Sequence, residues 1–359
     1  MKRPALHLPK STIGRTALGV PVLALLIALF IWRGPSFTAI GDAFRSVVWK
    51  WVIVAIALNL LSVVARALAW TIVIRSAMKP PHPGPPLVFS AFSVGLFANA
   101  VLPGRIGELA RVAVLTRKMP ERKGAWATLV GTVFAHRVFD VVPVVLLVLY
   151  VVATANIPTS ARATLIVAIC IGIALFVFAF ISARKPNEPV AQELESRMKR
   201  LIAMARQGLG VMRSPVGAAA AIFFQIVGWL CQLFAVWAAM RAFGIHAPLP
   251  AAGVVLLLMN VVTIFPFWPG NVGLVQVAIA TALSGYGVAY GRGIAYGFGL
   301  QAIEASVGIG VGLLFIAREG LSMAMLRVMP NAAQAEAGGK EETEETDADA
   351  AAPSARVPG

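Results

Sequence analysis

Apolar runs of about 20 residues recur along almost the whole chain, and each is long enough to cross a bilayer as a helix. The runs are continuous and do not alternate apolar with polar residues, so the pattern predicts helices and not the strands of a β-barrel. We therefore predict an all-α polytopic membrane protein with about six full spans. The predicted spans are Thr16–Trp32, Trp51–Ile74, Ala125–Ala155, Ala163–Ser182, Pro215–Phe243 and Gly293–Ala317.

Two further apolar stretches are interrupted by Pro-Gly pairs. They are Leu87–Leu102 before Pro103-Gly104, and Ala251–Phe267 and Asn271–Ser284 on either side of Pro269-Gly270. A basic run that ends at Lys123 follows the first pair, and basic residues favour the cytoplasmic side. If Leu87–Leu102 crossed the membrane completely, the basic run would lie on the outer side. We therefore predict two re-entrant helical hairpins, whose breaks are tolerated at membrane depth only where they line a protein cavity.

The polar segments divide the chain into three regions. Residues 1–15 form a basic cytoplasmic N-terminus, residues 16–322 the membrane domain, and residues 323–359 an acidic, disordered cytoplasmic tail. Within the membrane domain, Phe37–Lys50 has the pattern of an amphipathic segment at the outer interface, and Arg184–Arg213 that of an amphipathic helix on the inner leaflet. With both termini inside, this arrangement predicts a multi-pass protein of the cytoplasmic, or inner, membrane.

Composition supports the membrane assignment and disfavours other classes. Charged residues make up 13% of the chain and hydrophobic residues 58%, whereas soluble domains carry roughly 25% charged residues. The net charge is +15, but the basic residues lie in short segments between spans, as in loops near anionic lipid and not as in a nucleic-acid-binding surface. The cysteines Cys170 and Cys231 and four scattered histidines form no metal-binding spacing, so we expect neither a metal nor another cofactor.

The two interrupted stretches share the motif P-G-x-[IV]-G, at Pro103–Gly107 and Pro269–Gly273. Short matches also arise by chance in glycine-rich membrane sequence, so an inverted repeat and coincidence are both open. Proline removes a backbone donor and glycine permits a positive φ, so each helix must end at the motif. The freed N–H groups at a helix N-terminus carry partial positive charge and favour a phosphate or carboxylate. We predict that the hairpins break at Pro103, Gly104, Gly107, Pro269, Gly270 and Gly273.

Charged residues within the apolar stretches are the candidate site. Each costs roughly 2.5–3.5 kcal/mol in hydrocarbon, so each should face a partner or a cavity. Glu108 and Arg111 have the i,i+3 spacing of a helical ion pair, as do Arg137 and Asp140. Glu304, in the last span, has two equally good interpretations, a functional group or a polar face toward a neighbouring helix.

These charges have two interpretations as a set: ion pairs that fix helix packing, or a path for a lipid headgroup or for protons. An excess of arginine favours the path for a headgroup or for protons. The arginines outnumber the two carboxylates Glu108 and Asp140, since there are four of them, Arg66, Arg105, Arg111 and Arg137. A surplus guanidinium in a membrane cavity requires an anion, and lipid phosphate is the abundant one. The predicted headgroup-binding residues are Arg66, Asn99, Arg105, Glu108, Arg111, Arg137, Asp140 and Gln276.

Three segments resemble a known family. Asn99–Arg111 (NAVLPGRIGELAR), His136–Asp140 (HRVFD) and Pro269–Gly273 (PGNVG) resemble the lysylphosphatidylglycerol synthase transmembrane, or flippase-like, domain family, and the resemblance extends over Thr16–Ser322. It implies translocation of aminoacylated phospholipids or, for stand-alone members, of hopanoid or polyisoprenoid-linked lipids. It also implies that the segment Pro103–Glu108, Arg111, Arg137 and Asp140, together with Arg66, belong to the family pattern. Gln276 stands where that pattern has a glutamate, and Gln301 near where it has an arginine, so the second half is less charged here.

The leading hypothesis is a membrane lipid translocase that binds an anionic or phosphate-bearing headgroup between the two hairpins. The alternative is a non-transporting membrane partner of a glycosyltransferase or lipid-modifying enzyme, docked through Arg184–Arg213 and the acidic tail. We do not expect an enzyme, because the soluble aminoacyl-transferring domain of bifunctional members has no counterpart here. Glu108 and His136 are the plausible acid–base candidates and lie in no catalytic motif. Membrane lipid is the expected ligand and nucleic acid is not, and the sequence does not indicate an oligomeric state.

Overall fold

The computed structural model describes residues 37–101, 106–119, 125–157, 214–263 and 271–319, together with short stretches between 163 and 181. Within these ranges the chain forms helices joined by turns and contains no β-strand, which confirms the all-α prediction for them. The helices are α1 (Phe37–Arg45), α2 (Trp49–Ala77), α3 (Pro85–Val101), α4 (Gly107–Arg117), α5 (Ala125–Thr154), α6 (Pro215–Ala242), α7 (Leu249–Val262), α8 (Leu274–Ser284) and α9 (Tyr290–Glu319).

Four of the described helices, α2, α5, α6 and α9, are long and apolar enough to cross a membrane. Each coincides with a predicted span to within three residues at either end. Pro143 lies inside α5 without ending it. The described residues between 163 and 181 are helical, in agreement with the span predicted there. The remaining predicted segments, Thr16–Trp32, Arg184–Arg213 and the two terminal regions, lie outside the described residues.

Large apolar side chains cover much of the outside of the long helices. Ile53 on α2 is 66% exposed, Phe223 on α6 61%, and Leu314 on α9 66%. Soluble proteins rarely expose apolar surface on this scale, because water makes it unfavourable. Exposure of the same side chains to hydrocarbon is not unfavourable, so this exterior fits a bilayer.

The centre of the fold is an antiparallel pair formed by α2 and α6, the most extensively packed pair of helices. At one end the Val48 N–H donates to the Ala242 carbonyl at 2.9 Å. Near the other end, a Cβ added at Gly217 would lie 3.3 Å from Ser76 Oγ. The contacts therefore run in opposite chain directions along the two helices, and small residues permit the close approach.

The helices on either side of this pair follow the same order and make equivalent contacts. The series α2–α3–α4–α5 corresponds to α6–α7–α8–α9, and each member of the second starts 164–167 residues after its counterpart. Helix α3 packs on α4 and α9, whereas α7 packs on α8 and α5. Likewise α4 contacts α5, and α8 contacts α9. Exchanging the two series preserves these contacts, and the antiparallel α2 and α6 make the two halves run in opposite directions.

The short helices end on both sides of each Pro-Gly motif. Helix α3 ends at Val101 and α4 begins at Gly107, whereas α7 ends at Val262 and α8 begins at Leu274. Gly273 precedes α8 with a φ of +94°, a conformation that favours glycine, as the motif predicted. The other predicted break residues Pro103, Gly104, Pro269 and Gly270 lie outside the described residues.

Gly107 lies where α3 and α4 approach most closely, so replacing it tests this packing. A Cβ there would lie 2.0 Å from the Gly95 carbonyl oxygen and 2.6 Å from Asn99 Oδ1. We expect Gly107→Ala to lower the free energy of unfolding in detergent micelles by about 3 kcal/mol, because the two backbones must separate. The matched control is Gly310→Ala in α9, where an added Cβ meets no atom within 4 Å and stability should not fall. Equal losses in the two variants would contradict the close packing.

Candidate functional site

Charged side chains from four helices are joined into one connected set by hydrogen bonds, ion pairs and the contact of the Arg66 guanidinium with the Trp229 ring. Arg66 comes from α2, two residues each come from α4 and α5, and Glu304 comes from α9. Three neutral side chains of α6 connect them. We call this set the polar network. Its members are Arg66, Glu108, Arg111, Arg137, Asp140, Gln225, Trp229, Gln232 and Glu304.

Glu108 joins α4 to α5. Its Oε2 accepts a hydrogen bond from Arg111 Nη2 in the same helix, which confirms the predicted i,i+3 pair. Its Oε1 accepts from Arg137 Nη2 on α5, a pairing that sequence spacing did not predict. The Glu108 side chain is 22% exposed and that of Arg137 is 52% exposed, so this ion pair lies at the edge of the packed helices.

Arg111 is enclosed by aromatic rings. It is 3% exposed. Its guanidinium carbon lies 4.4 Å from the ring centroid of Trp70 and 5.2 Å from that of Phe92. Ring faces attract cations, so these contacts and Glu108 together offset the cost of removing the charge from water. Trp70 is fixed in turn, because its Nε1–H donates to Thr132 Oγ1 at 3.1 Å.

Asp140 connects α5 to α6. Its Oδ2 accepts from Arg137 Nη1 at 3.2 Å, which confirms the second predicted pair. Its Oδ1 accepts from Gln225 Nε2 and from Trp229 Nε1, both at 2.9 Å. Three donors therefore satisfy this carboxylate within the helix bundle.

Arg66 differs from the other two arginines of the network. Its Nη2 donates to Gln232 Oε1 at 2.6 Å, and its guanidinium carbon lies 5.2 Å from the Trp229 ring centroid. Gln232 Nε2 in turn donates to Glu304 Oε1 at 3.5 Å, so a neutral amide separates Arg66 from this carboxylate. The Trp229 indole likewise lies between Arg66 and Asp140. Both carboxylates attract the guanidinium electrostatically without an ion-pair contact. Among the described residues, Arg66 makes no ion pair with a carboxylate, and its buried Nε, like that of Arg111, has no hydrogen-bond acceptor.

Asn99 and Gln276, both predicted to bind a headgroup, make contacts that hold the hairpins. Asn99 Oδ1 accepts from the Gly107 N–H at 2.9 Å, which joins the end of α3 to the start of α4. Gln276 Oε1 accepts from the Gly273 N–H at 2.6 Å and caps α8, and its Nε2 donates to Gln301 Oε1 at 2.6 Å. Headgroup binding by these two residues remains a prediction.

The charges of the polar network balance in the part of the chain that the structure describes. Three guanidiniums face three carboxylates there, because Glu304 joins the set. The surplus of arginine inferred from the sequence therefore depends on Arg105, which lies outside the described residues. Equal numbers of guanidiniums and carboxylates do not mean that each guanidinium contacts a carboxylate, because Gln232 separates Arg66 from Glu304.

Sequence reasoning missed the three neutral members of the network. Gln225, Trp229 and Gln232 are four and three residues apart, so they lie on one face of α6. Two glutamines and a tryptophan on one face of an apolar span are a detectable signal for a polar contact. Their partners, however, become apparent only from the antiparallel packing of α2 against α6. No group of three or more potential metal ligands occurs among the described histidine, cysteine, aspartate and glutamate residues.

Helices able to cross a membrane, with a network of ionisable side chains between them, define a polytopic helical membrane protein. More specifically, the chain belongs to the family described as the lysylphosphatidylglycerol synthase TM region, because a model of that family matches residues 16–312. The chain is also similar to a UPF0104 membrane protein of Methanothermobacter thermautotrophicus, with 23% identity over 74% of this chain and 82% of that protein. No solved structure matches the chain.

Proposed function

We propose that this protein binds the phosphate of a membrane lipid at Arg66 and translocates that lipid across the bilayer. The observation that carries the proposal is the contact set of Arg66. A guanidinium halfway along a membrane-spanning helix is bonded to a neutral amide and makes no ion pair among the described residues. A charge at the centre of a bilayer costs about 2.5–3.5 kcal/mol on insertion scales, and a phosphate would offset that cost.

The proposed membrane topology places Arg66 near the bilayer midplane. Helices α4 and α8 each have 11 residues and so are about 16 Å long, roughly half of the hydrocarbon core. We propose that α3–α4 and α7–α8 are re-entrant hairpins from opposite faces of an inverted repeat, with six full spans and both termini in the cytoplasm. Transporters built on inverted repeats bind substrate where the two repeats meet. Arg66 and Gln232, which contact each other and are 166 residues apart, lie on that boundary.

The ligand chemistry follows from the groups around Arg66. The unpartnered Nε–H and the Nη2–H can donate together to two oxygens of one phosphate, a geometry that suits guanidinium better than ammonium. Gly228 on α6 lets the Arg66 side chain pack directly against that helix, because an added Cβ would lie 3.0 Å from Arg66 Cγ. Acyl chains would remain in the bilayer while the headgroup passes between helices.

Reconstitution tests this proposal. Phosphatidylcholine vesicles contain a trace of headgroup-labelled phosphatidylglycerol, and the label in the outer leaflet is removed. Labelled lipid from the inner leaflet should then reappear in the outer leaflet faster in vesicles with the protein than in vesicles without it. Arg66→Gln should reduce the rate to that of protein-free vesicles, because an amide cannot compensate a phosphate charge. The matched control is Arg292→Gln, the same change at an exposed residue of α9, which should leave the rate unchanged. Equal rates for protein-containing and empty vesicles across a panel of phosphate lipids would refute the proposal.

A non-transporting partner of a lipid-modifying enzyme predicts a different result. Such a protein would not accelerate lipid movement, and its action in cells would be lost on deletion of residues 323–359. A translocase should keep its rate in vesicles after that deletion. The two outcomes separate the classes.

A further inference from the structure

We propose that phosphate-bearing headgroups reach Arg66 from the bilayer through the seam between α4 and α5, and that the equivalent seam between α8 and α9 stays closed. This inference rests on the proposed function. It comes from a difference between two seams that occupy equivalent places in the fold. One is closed by charges and the other by close neutral packing.

The seam between α4 and α5 is closed by an ion pair at its edge. Glu108 on α4 pairs with Arg137 on α5. Phe134 lies one helical turn before Arg137 and is 49% exposed, so this part of α5 faces the surroundings of the helix bundle. A half-exposed guanidinium beside an apolar, lipid-facing ring is within reach of a headgroup in the bilayer.

The seam between α8 and α9 is closed by small and neutral groups. A Cβ added at Gly293 of α9 would lie 3.0 Å from Ala280 Cβ of α8. One added at Gly297 would lie 3.2 Å from Gln276 Cγ. Gln276 is fully buried and donates to Gln301 on α9. Aligned by helix position, α9 has Ala302 and Ala305 where α5 has the charged pair of Arg137 and Asp140.

A phosphate can replace Glu108 as the partner of Arg137, and so open the seam between α4 and α5, without leaving a carboxylate of that seam unpaired. When a phosphate takes Arg137, Glu108 keeps its pair with Arg111, and Asp140 keeps its bonds from Gln225 and Trp229. Each buried charge stays partnered, so the exchange avoids the penalty of an isolated ion. The second seam has no ion pair to exchange in its described residues, and separating it would only lose packing contacts.

A short chain of contacts also connects the first seam to Arg66. Arg137 bonds Asp140, Asp140 accepts from Trp229 Nε1, and the Trp229 ring lies against the Arg66 guanidinium. A phosphate bound at Arg137 is therefore separated from the Arg66 site by one carboxylate and one indole. Arg137 is the access residue in this proposal, and Arg66 is the central binding residue.

Photo-crosslinking of the full-length protein in vesicles tests the location of access. The probe is a phosphatidylglycerol with a photoactivatable diazirine next to its headgroup, in phosphatidylcholine vesicles, with adducts mapped by mass spectrometry. We expect adducts on α4 and α5 around Glu108 and Arg137, at least about tenfold above those on α8 and α9. Arg137→Ala should reduce the α4 and α5 adducts about tenfold, since one charge-assisted contact is lost. Arg292→Ala, which removes an exposed arginine of α9, should not change them.

The outcomes separate this inference from the proposed function. Equal adducts at both seams, or adducts confined to α8 and α9, overturn it, as does an unchanged pattern in Arg137→Ala. That variant should fold, because the remaining carboxylates keep other donors. Arg66→Gln should retain the α4 and α5 adducts while translocation ceases. Adducts at this seam in a protein that never translocates lipid would refute the proposed function and leave the access site standing.

Discussion

Gln232→Glu should abolish lipid translocation while the protein remains folded. The Gln232 amide oxygen lies 2.6 Å from Arg66 Nη2, so a glutamate, which has nearly the same shape, would pair with that guanidinium directly. An ion pair inside the membrane is far stronger than one in water, and a lipid phosphate would have to displace the new carboxylate. We expect the rate in the vesicle assay to fall to that of protein-free vesicles, with folding checked by size-exclusion chromatography and thermal unfolding.

Gln301→Glu is the matched control for that substitution. It makes the same chemical change in α9, where the carboxylate can still accept from the Gln276 amide. Translocation should continue in this variant. A full rate in Gln232→Glu would show that Arg66 does not bind the phosphate, whereas loss in both variants would show a general intolerance of added carboxylates.

Glu108→Leu should be the most destabilising single change in the polar network. It removes the carboxylate partner of Arg111, which is 3% exposed, and also breaks the bond to Arg137. Removing one partner of a buried pair leaves an uncompensated charge and costs about 3–5 kcal/mol. The free energy of unfolding, measured by denaturant titration in mixed micelles, should fall by this amount.

Restoring charge balance should recover most of that loss. In Glu108→Leu/Arg111→Met the stranded guanidinium is replaced by an unbranched apolar chain, which can pack against Trp70 and Phe92 as the arginine does. Arg137 keeps Asp140 in both variants. We expect the double variant to be within about 1 kcal/mol of the unsubstituted protein. A double variant as unstable as the single one would show that the ion pair itself, and not the avoidance of an unpaired charge, stabilises this region.

The pairs of charges within one helix could be predicted from sequence, and those between helices could not. Glu108–Arg111 and Arg137–Asp140 are three residues apart, and a helix places such residues side by side. Glu108–Arg137 joins residues 29 positions apart on different helices. Arg66 and Gln232 are 166 positions apart and meet only because α2 and α6 are antiparallel. Helix periodicity can indicate which face of a helix makes polar contacts, but not which residues of another helix that face will meet.

The repeat shows the same division. Both Pro-Gly motifs and their helix ends could be read from residue types, because proline and glycine act on the local backbone. Whether the motifs were a true repeat or coincidence could not be read from them, since a five-residue match carries little information. The equivalent contacts of the two helix series and their opposite directions favour a repeat.

By itself, the sequence determined that this protein lies in a membrane, where the long described helices begin and end to within three residues, and to which family the chain belongs. In hydrocarbon, every backbone N–H and C=O group must be hydrogen-bonded within the protein. A long apolar run is therefore helical whichever helices it packs against. Only the tertiary structure decided which charges on different helices neutralise each other. It joined Glu304 to the network through Gln232, paired Glu108 with Arg137 across two helices, and left Arg66 facing an amide. The physical reason is that ion pairing depends on distances of a few ångströms between helices, which packing sets and local sequence does not.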